Sequence, residues 1–183
     1  IIHECGICMI CLLKPLKYYE EKYGTALWGL NKMYLLMEKQ HNRGQDGAGI
    51  ATVKLNAREG RPYLHWLRNN QSQPWQSLFK NIREEMERLE RQFPGISKDR
   101  ELLEDRFRFS GELLMGHLRY GTHGTYGIED CHPVVRENNW KSRTLAVAGN
   151  FDLPNVKELF ENLVALGQPP KHISDTETVM ERI

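Results

Sequence analysis

The 183-residue sequence contains no apolar run approaching the ~20 residues that a membrane-spanning helix needs. Its first residues, Ile1-Ile2-His3-Glu4, lack the basic and apolar regions of a secretory signal. Neither sign of charge dominates: 25 basic and 24 acidic side chains leave a formal net charge of +1. A balance this close gives no electrostatic reason to expect nucleic acid or an anionic membrane as partner. Cysteine is scarce as well. Of four, Cys5, Cys8 and Cys11 crowd together near the start and Cys131 stands apart, which fits a reducing compartment better than a disulfide framework. The expected location is cytoplasmic. Repeats and low-complexity segments are also missing.

What is present is an ordinary globular balance, 40% hydrophobic and 27% charged residues, in a chain long enough for one domain with a substantial core. The apolar, β-branched run Glu4–Leu13 predicts a buried strand. Ala26, Leu30, Met33 and Met37 share one face of a helix over Thr25–His41. The stretch Arg43-Gly44-Gln45-Asp46-Gly47-Ala48-Gly49 follows, its glycines marking close approaches or unusual turns. Ile50–Leu55 and Tyr63–Leu67 read as strands around a turn at Gly60. Phe79, Ile82, Met86, Leu89 and Phe93 then form the stripe of an amphipathic helix ended by Pro94-Gly95. That stripe is expected to pack on the domain. Glu112–Tyr120 and Arg143–Ala148 predict two more strands, and Val156, Leu159, Phe160, Leu163 and Val164 a helix ending at Gly167. Ser174-Asp175-Thr176-Glu177 is a capping box. The helix it opens has room for only about two turns before Ile183, which leads to the expectation of a fragment of a longer protein. The whole predicts mixed α and β with antiparallel pairing.

Cys5-Gly6-Ile7-Cys8-Met9-Ile10-Cys11 has the spacing of three ligands of an iron–sulfur motif, but Leu12-Leu13-Lys14-Pro15 stands where a fourth cysteine would be needed. On a strand, side chains alternate faces, so Cys8 points away from Cys5 and Cys11 and the three cannot share a cluster. Cys8 and Cys11 are expected to be small buried hydrophobes. Cys5, near the chain start and followed by Gly6, is the candidate nucleophile. A thiol in that role needs a base and oxyanion donors. An α-amine on the same residue can be that base, because its reference pKa of about 7.7–8.0 lies close to neutrality.

Cys5-Gly6-Ile7, Arg43–Gly49, Gly116-His117-Leu118-Arg119-Tyr120-Gly121-Thr122-His123-Gly124, Gly149-Asn150-Phe151 and Ser174-Asp175-Thr176-Glu177 occur in that order. Together they resemble the glutaminase domain of class II, N-terminal-nucleophile glutamine amidotransferases. Gln45 and Tyr120 are similar to amidophosphoribosyltransferase, whereas Thr122-His123-Gly124 and His132-Pro133 are more like glucosamine-6-phosphate synthase; the balance favours the first. The resemblance implies an α+β fold of four αββα layers, with two mostly antiparallel sheets, over residues 1–183, and an insertion over 56–110 carrying the amphipathic helix. It implies glutamine as substrate, attacked by Cys5 to give a thioester and ammonia. Arg119 would bind the glutamine α-carboxylate with its planar fork, and Asp175 the α-ammonium. Tyr120 and Thr122 would shape the pocket, and Arg43 and Gly44 would lie near the nucleophile, Gly44 because a side chain would block the approach. Asp175 has helix capping as its plainer role, Arg119 a surface ion pair. His117 is expected to be structural, and His123 and His132 to be satisfied polar residues. No cofactor or metal is expected in this domain, since His41, His123 and His132 lack zinc-ligand spacing. A C-terminal synthase domain, with Mg as its own requirement and phosphoribosyl pyrophosphate as acceptor in purine synthesis, and a homo-oligomeric assembly are the partners implied.

Two departures from the family pattern matter. Ile1–Glu4 precede Cys5, so its nitrogen is an amide and cannot act as base unless those four residues are a propeptide that is removed. The family usually carries Asn-Gly where this chain has Ala148-Gly149, and alanine cannot donate to an oxyanion. Gly149 retains its N–H and Asn150 is adjacent. These departures keep open a degenerate glutamine-binding module without efficient chemistry.

Overall fold

The computed structural model describes residues 4–121, 127–168 and 170–183. The strands are β1 (Gly6–Cys11), β2 (Gly47–Val53), β3 (Leu64–Asn69), β4 (Leu113–Arg119), β5 (Val134–Arg136) and β6 (Leu145–Val147). The helices are α1 (Leu16–Tyr23), α2 (Trp28–Gln40), α3 (Pro74–Gln92), α4 (Arg100–Arg106), α5 (Val156–Ala165) and α6 (Asp175–Arg182). One antiparallel sheet has the order β1-β4-β2-β3; the other pairs β5 with β6, also antiparallel. The fold is α+β with two antiparallel sheets, as expected.

Strand alternation explains the layering. Ile50 and Gly116 are register partners on one face of the large sheet, and a Cβ on Gly116 would meet the Met33 and Met37 sulfurs of α2. That face is covered by α2 and α3 and holds the apolar core of Leu30, Met33, Met37, Ile50, Leu78, Phe79, Ile82, Leu114 and Leu118. Gly49 and His117 are partners on the opposite face. There a Cβ on Gly49 would collide with the carbonyl oxygen of His132, and one on Gly47 with the Cys131 sulfur. The segment leading into β5 therefore lies directly on the large sheet, and α6 packs on the far side of β5 and β6. The succession is helices, sheet, sheet, helix.

Gly49→Ala places a methyl group where a backbone carbonyl already sits, and the backbone has no rotamer with which to yield. Overpacking of this kind costs about 3 kcal/mol. For a chain of this size Tm should fall by roughly 6–12 °C in a thermal melt.

Several expectations shift. β2 starts at Gly47 rather than Ile50: of the two readings of the glycines, close approaches hold for Gly47 and Gly49, which are strand residues that let the second layer approach. Cys8 is buried and accepts a hydrogen bond from Gln40 Nε2 at 3.1 Å, but Cys11 is exposed, against expectation. It shares the outer face of the edge strand β1 with Ile7 and Met9, 46% and 64% exposed, which the described residues do not cover. The 56–110 region contributes β3 and α3. The α3 stripe packs inward as expected, with Phe79 and Ile82 buried and Met86, Leu89 and Phe93 at the core margin. Helices α1 and α4 and strand β5 escaped the sequence reading; all are short. At α6, Ser174 Oγ accepts from the Glu177 N–H at 3.2 Å. The Glu177 carboxylate does not return to Ser174; it accepts from the Lys171 and His172 N–H groups instead.

Candidate active site

The antiparallel register of β1 and β4 pairs Gly6 with Leu118. One step further, Cys5 comes opposite Arg119, and the Tyr120 N–H lies 3.5 Å from Cys5 Sγ. On the other side of β4, Arg119 is the partner of Gly47. Cys5 is half-buried and unbridged. Arg119 is nearly covered, its side chain 12% exposed, with Nη2 3.8 Å from Asp130 Oδ2. The turn after β4 is clamped by Asp46, whose N–H donates to the Arg119 carbonyl at 3.1 Å and whose Oδ2 accepts from the Gly121 N–H at 2.8 Å.

Arg43 ends the 3-10 turn that follows α2 and is exposed. Its guanidinium pairs with the Glu4 carboxylate at 3.1 Å, so the residue before the candidate nucleophile is tied to one of the expected substrate-binding residues. Gly44 is buried against main chain: a Cβ would come within 2.5 Å of the Leu118 carbonyl. Its bareness serves the fit to β4, not an open approach to the nucleophile. Tyr120 is half-buried next to Cys5. Thr122 and His123 lie outside the described residues.

The second half of the site comes from the other sheet. Asp175 opens α6, capped by Ser174 rather than capping it. Burial raises the Asp175 carboxyl above its ordinary range, opposed by a hydrogen bond from the Leu153 N–H and reinforced by nearby Asp152. Gly149 is buried just beyond β6, and its N–H donates to His132 Nδ1 at 3.4 Å. Asn150 is exposed. His132 Nε2 lies 2.8 Å from Thr176 Oγ1, and His132 Nδ1 lies 3.2 Å from His117 Nε2. The two rings are 4.4 Å apart at their centroids. This chain joins β4, the segment before β5, the loop after β6 and the start of α6. Cys5 and Arg119 at the end of the large sheet are thereby linked to the helix that carries Asp175.

Sequence reasoning missed Asp46, Asp130 and Thr176, and gave His132 no role. The signal for Asp46 was a short carboxylate within a glycine run, the residue type that ties nearby backbone N–H groups. Nothing local marked Asp130, and His132 stood out only within His132-Pro133, without a role. A cavity of about 370 Å³ lined by Lys54, Arg61, Glu104 and Glu112 lies at the opposite end of β4 from Cys5.

Desolvation, with added repulsion from its histidine neighbour, pushes His117 down to about 3. Burial and Arg119 push His132 down to about 4. Both rings are neutral near pH 7. The unfolded chain titrates near 6.5, so below that value it binds protons that the folded rings refuse. Stability from this source is complete above pH 6.5 and declines as pH falls toward the folded values, by up to about 1.4 kcal/mol per pH unit for each ring. Urea midpoints should drop between pH 6.5 and 5, above the ordinary carboxylate range, and drop less steeply in His132→Asn.

No family model matches the chain. Among curated proteins, it is 30% identical over 180 residues to an amidophosphoribosyltransferase of Methanocaldococcus jannaschii, covering 97% of this chain and 28% of the relative. It is 26% identical over 175 residues to a glutamine–fructose-6-phosphate aminotransferase of Sulfurisphaera tokodaii, covering 96% of this chain and 22% of that protein. An amidophosphoribosyltransferase of Staphylococcus aureus is 27% identical over 150 residues. Over nearly its whole length the chain is thus similar to glutamine amidotransferases of these two kinds. Among solved structures it is similar to an allosteric regulatory enzyme of purine biosynthesis, with a TM-score of 0.52 and 22% identity over 96% of this chain and 28% of that one, a likeness that shows the fold. The chain spans roughly a quarter of the length of these curated relatives. Among the described residues, no helix is long and apolar enough to cross a membrane.

Proposed function

We propose that the domain hydrolyses glutamine to glutamate and ammonia through a thioester on Cys5. The observation that carries this is the β1–β4 register, which brings the Cys5 sulfur against the Tyr120 backbone, one residue past Arg119 at the strand end. In this reading the Cys5 α-amine takes the thiol proton, and the sulfur attacks the side-chain carbonyl carbon of glutamine. Arg119 exchanges Asp130 for the substrate carboxylate, Asp175 holds the substrate ammonium, and Tyr120 and Thr122 shape the pocket. The tetrahedral intermediate collapses with loss of ammonia, and water then releases glutamate. The largely covered setting of Arg119 and the half-buried one of Asp175 suit charge recognition.

The α-amine becomes a base only when the peptide bond between Glu4 and Cys5 is cut, so the reading includes removal of Ile1–Glu4. Cleavage also releases Arg43 from Glu4. Ammonia would serve a synthase domain using phosphoribosyl pyrophosphate, with glucosamine-6-phosphate synthase-like chemistry as the alternative acceptor side. Magnesium would belong to that synthase domain, and a homo-oligomer is the expected assembly.

A second reading has its own observation. Ala148 removes one oxyanion donor, which favours a module that binds glutamine without turning it over. The test is glutamate release from glutamine by the chain produced with Cys5 as first residue, beside the chain that keeps residues 1–4. Release by the first alone supports the glutaminase. Tight binding without release by either supports the module, and release by the longer chain overturns the α-amine as base.

A further inference from the structure

We propose that His132 is a positioning residue that sets the distance between the two ends of bound glutamine, an inference that rests on the glutaminase reading above. Its imidazole contacts both the loop after β6 and the start of α6. One nitrogen takes the N–H of Gly149, the donor left to an oxyanion once Ala148 replaces asparagine. The other meets the hydroxyl of Thr176, the neighbour of Asp175 in the first turn of α6.

The hydrogen-bond roles fix the tautomer. Nδ1 receives the Gly149 N–H, so it carries no proton, and Nε2 must carry one and donate it to Thr176 Oγ1. His117 Nε2 lies 3.2 Å from the same Nδ1, and His117 Nδ1 is buried with no hydrogen-bond partner. His117 is fully buried on β4, two residues before Arg119 on the same face. Through it, the His132 ring is seated against the strand that presents Arg119. The ring is thus referenced to the carboxylate end by β4, to the ammonium end by α6, and to the reacting carbonyl by Gly149. A histidine that only filled space would not have its two nitrogens committed to separate elements that both end at substrate groups.

The two arms can be cut separately. The amide of asparagine sits near the level of Nδ1, and that of glutamine near the level of Nε2. In the chain that begins at Cys5, His132→Gln keeps the Thr176 arm and releases Gly149; kcat should fall about tenfold with KM within about twofold. His132→Asn keeps the Gly149 arm and releases Thr176, as does Thr176→Val; both should raise KM about tenfold and hold kcat within about twofold. A second readout needs no turnover: the Gly149 amide resonance in nitrogen-15 correlation spectra should move in Thr176→Val, although the substitution is one hydrogen bond removed. If glutamate is released but the two amide variants lose kcat and KM alike, or the Gly149 resonance stays in place, the positioning role is overturned. If no variant and no parent chain releases glutamate, the glutaminase reading falls and the positioning role with it, whatever the resonance does.

Discussion

Cys5→Ala, in the chain that begins at residue 5, should reduce glutamate release to the background of uncatalysed hydrolysis. The change removes the only atom proposed to form a bond to substrate, and loss of a nucleophile in a covalent mechanism costs about 10³-fold or more in kcat. Folding should be untouched. Cys5 is only half-buried, it makes no disulfide, and its contacts are weak sulfur hydrogen bonds to the Tyr120 backbone. Alanine fits there without a cavity of consequence. Glutamine affinity should survive, because the charged ends of the substrate are assigned to Arg119 and Asp175. A thermal melt equal to that of the parent, glutamine binding within a few-fold by calorimetry and no glutamate above background would together assign the chemistry to the sulfur. Glutamate release at the parental rate would end the proposal.

Ala148→Asn should move the rate the other way. A side-chain amide in an oxyanion hole contributes about 10²–10³ in kcat, and position 148 immediately precedes the one backbone donor, Gly149. The position is half-buried just past the end of β6, not in the tightly packed core. The gain should appear in kcat with KM little changed, since the donor acts on charge that develops only in the transition state. An unchanged kcat in a stably folded Ala148→Asn would argue against an oxyanion defect at this position.

The parts of this molecule that could be read from sequence are those governed by local rules. Alternation placed Cys8 on the face opposite Cys5, and periodicity placed Phe79, Ile82 and Met86 on the inward side of α3. Ordered short motifs singled out Cys5, Arg119 and Asp175 as candidates, and the pairing of β1 with β4 runs Cys5 up to the Tyr120 backbone, next to Arg119 in the chain. The parts that could not be read depend on which layer lies over which. The glycine run left close approaches and unusual turns both open, and what approaches Gly47 and Gly49 came only from Cys131 and His132, far along the chain. Cys11 looked buried because its strand is apolar throughout, but an edge strand can leave one face open. The His132-Pro133 motif assigned His132 no contact. Its role comes from three hydrogen-bond partners on three elements, 15, 17 and 44 residues away.

The bare glycines of β2 have a mechanical consequence. Where Gly49 meets the His132 carbonyl, the two layers touch through main chain alone, without the deformable padding that side chains give elsewhere. Such a junction transmits displacement instead of absorbing it. Any ligand that nudges the strand bearing Arg119 would shift the loop bearing Gly149 by a similar amount, as a lever turns about a hard fulcrum.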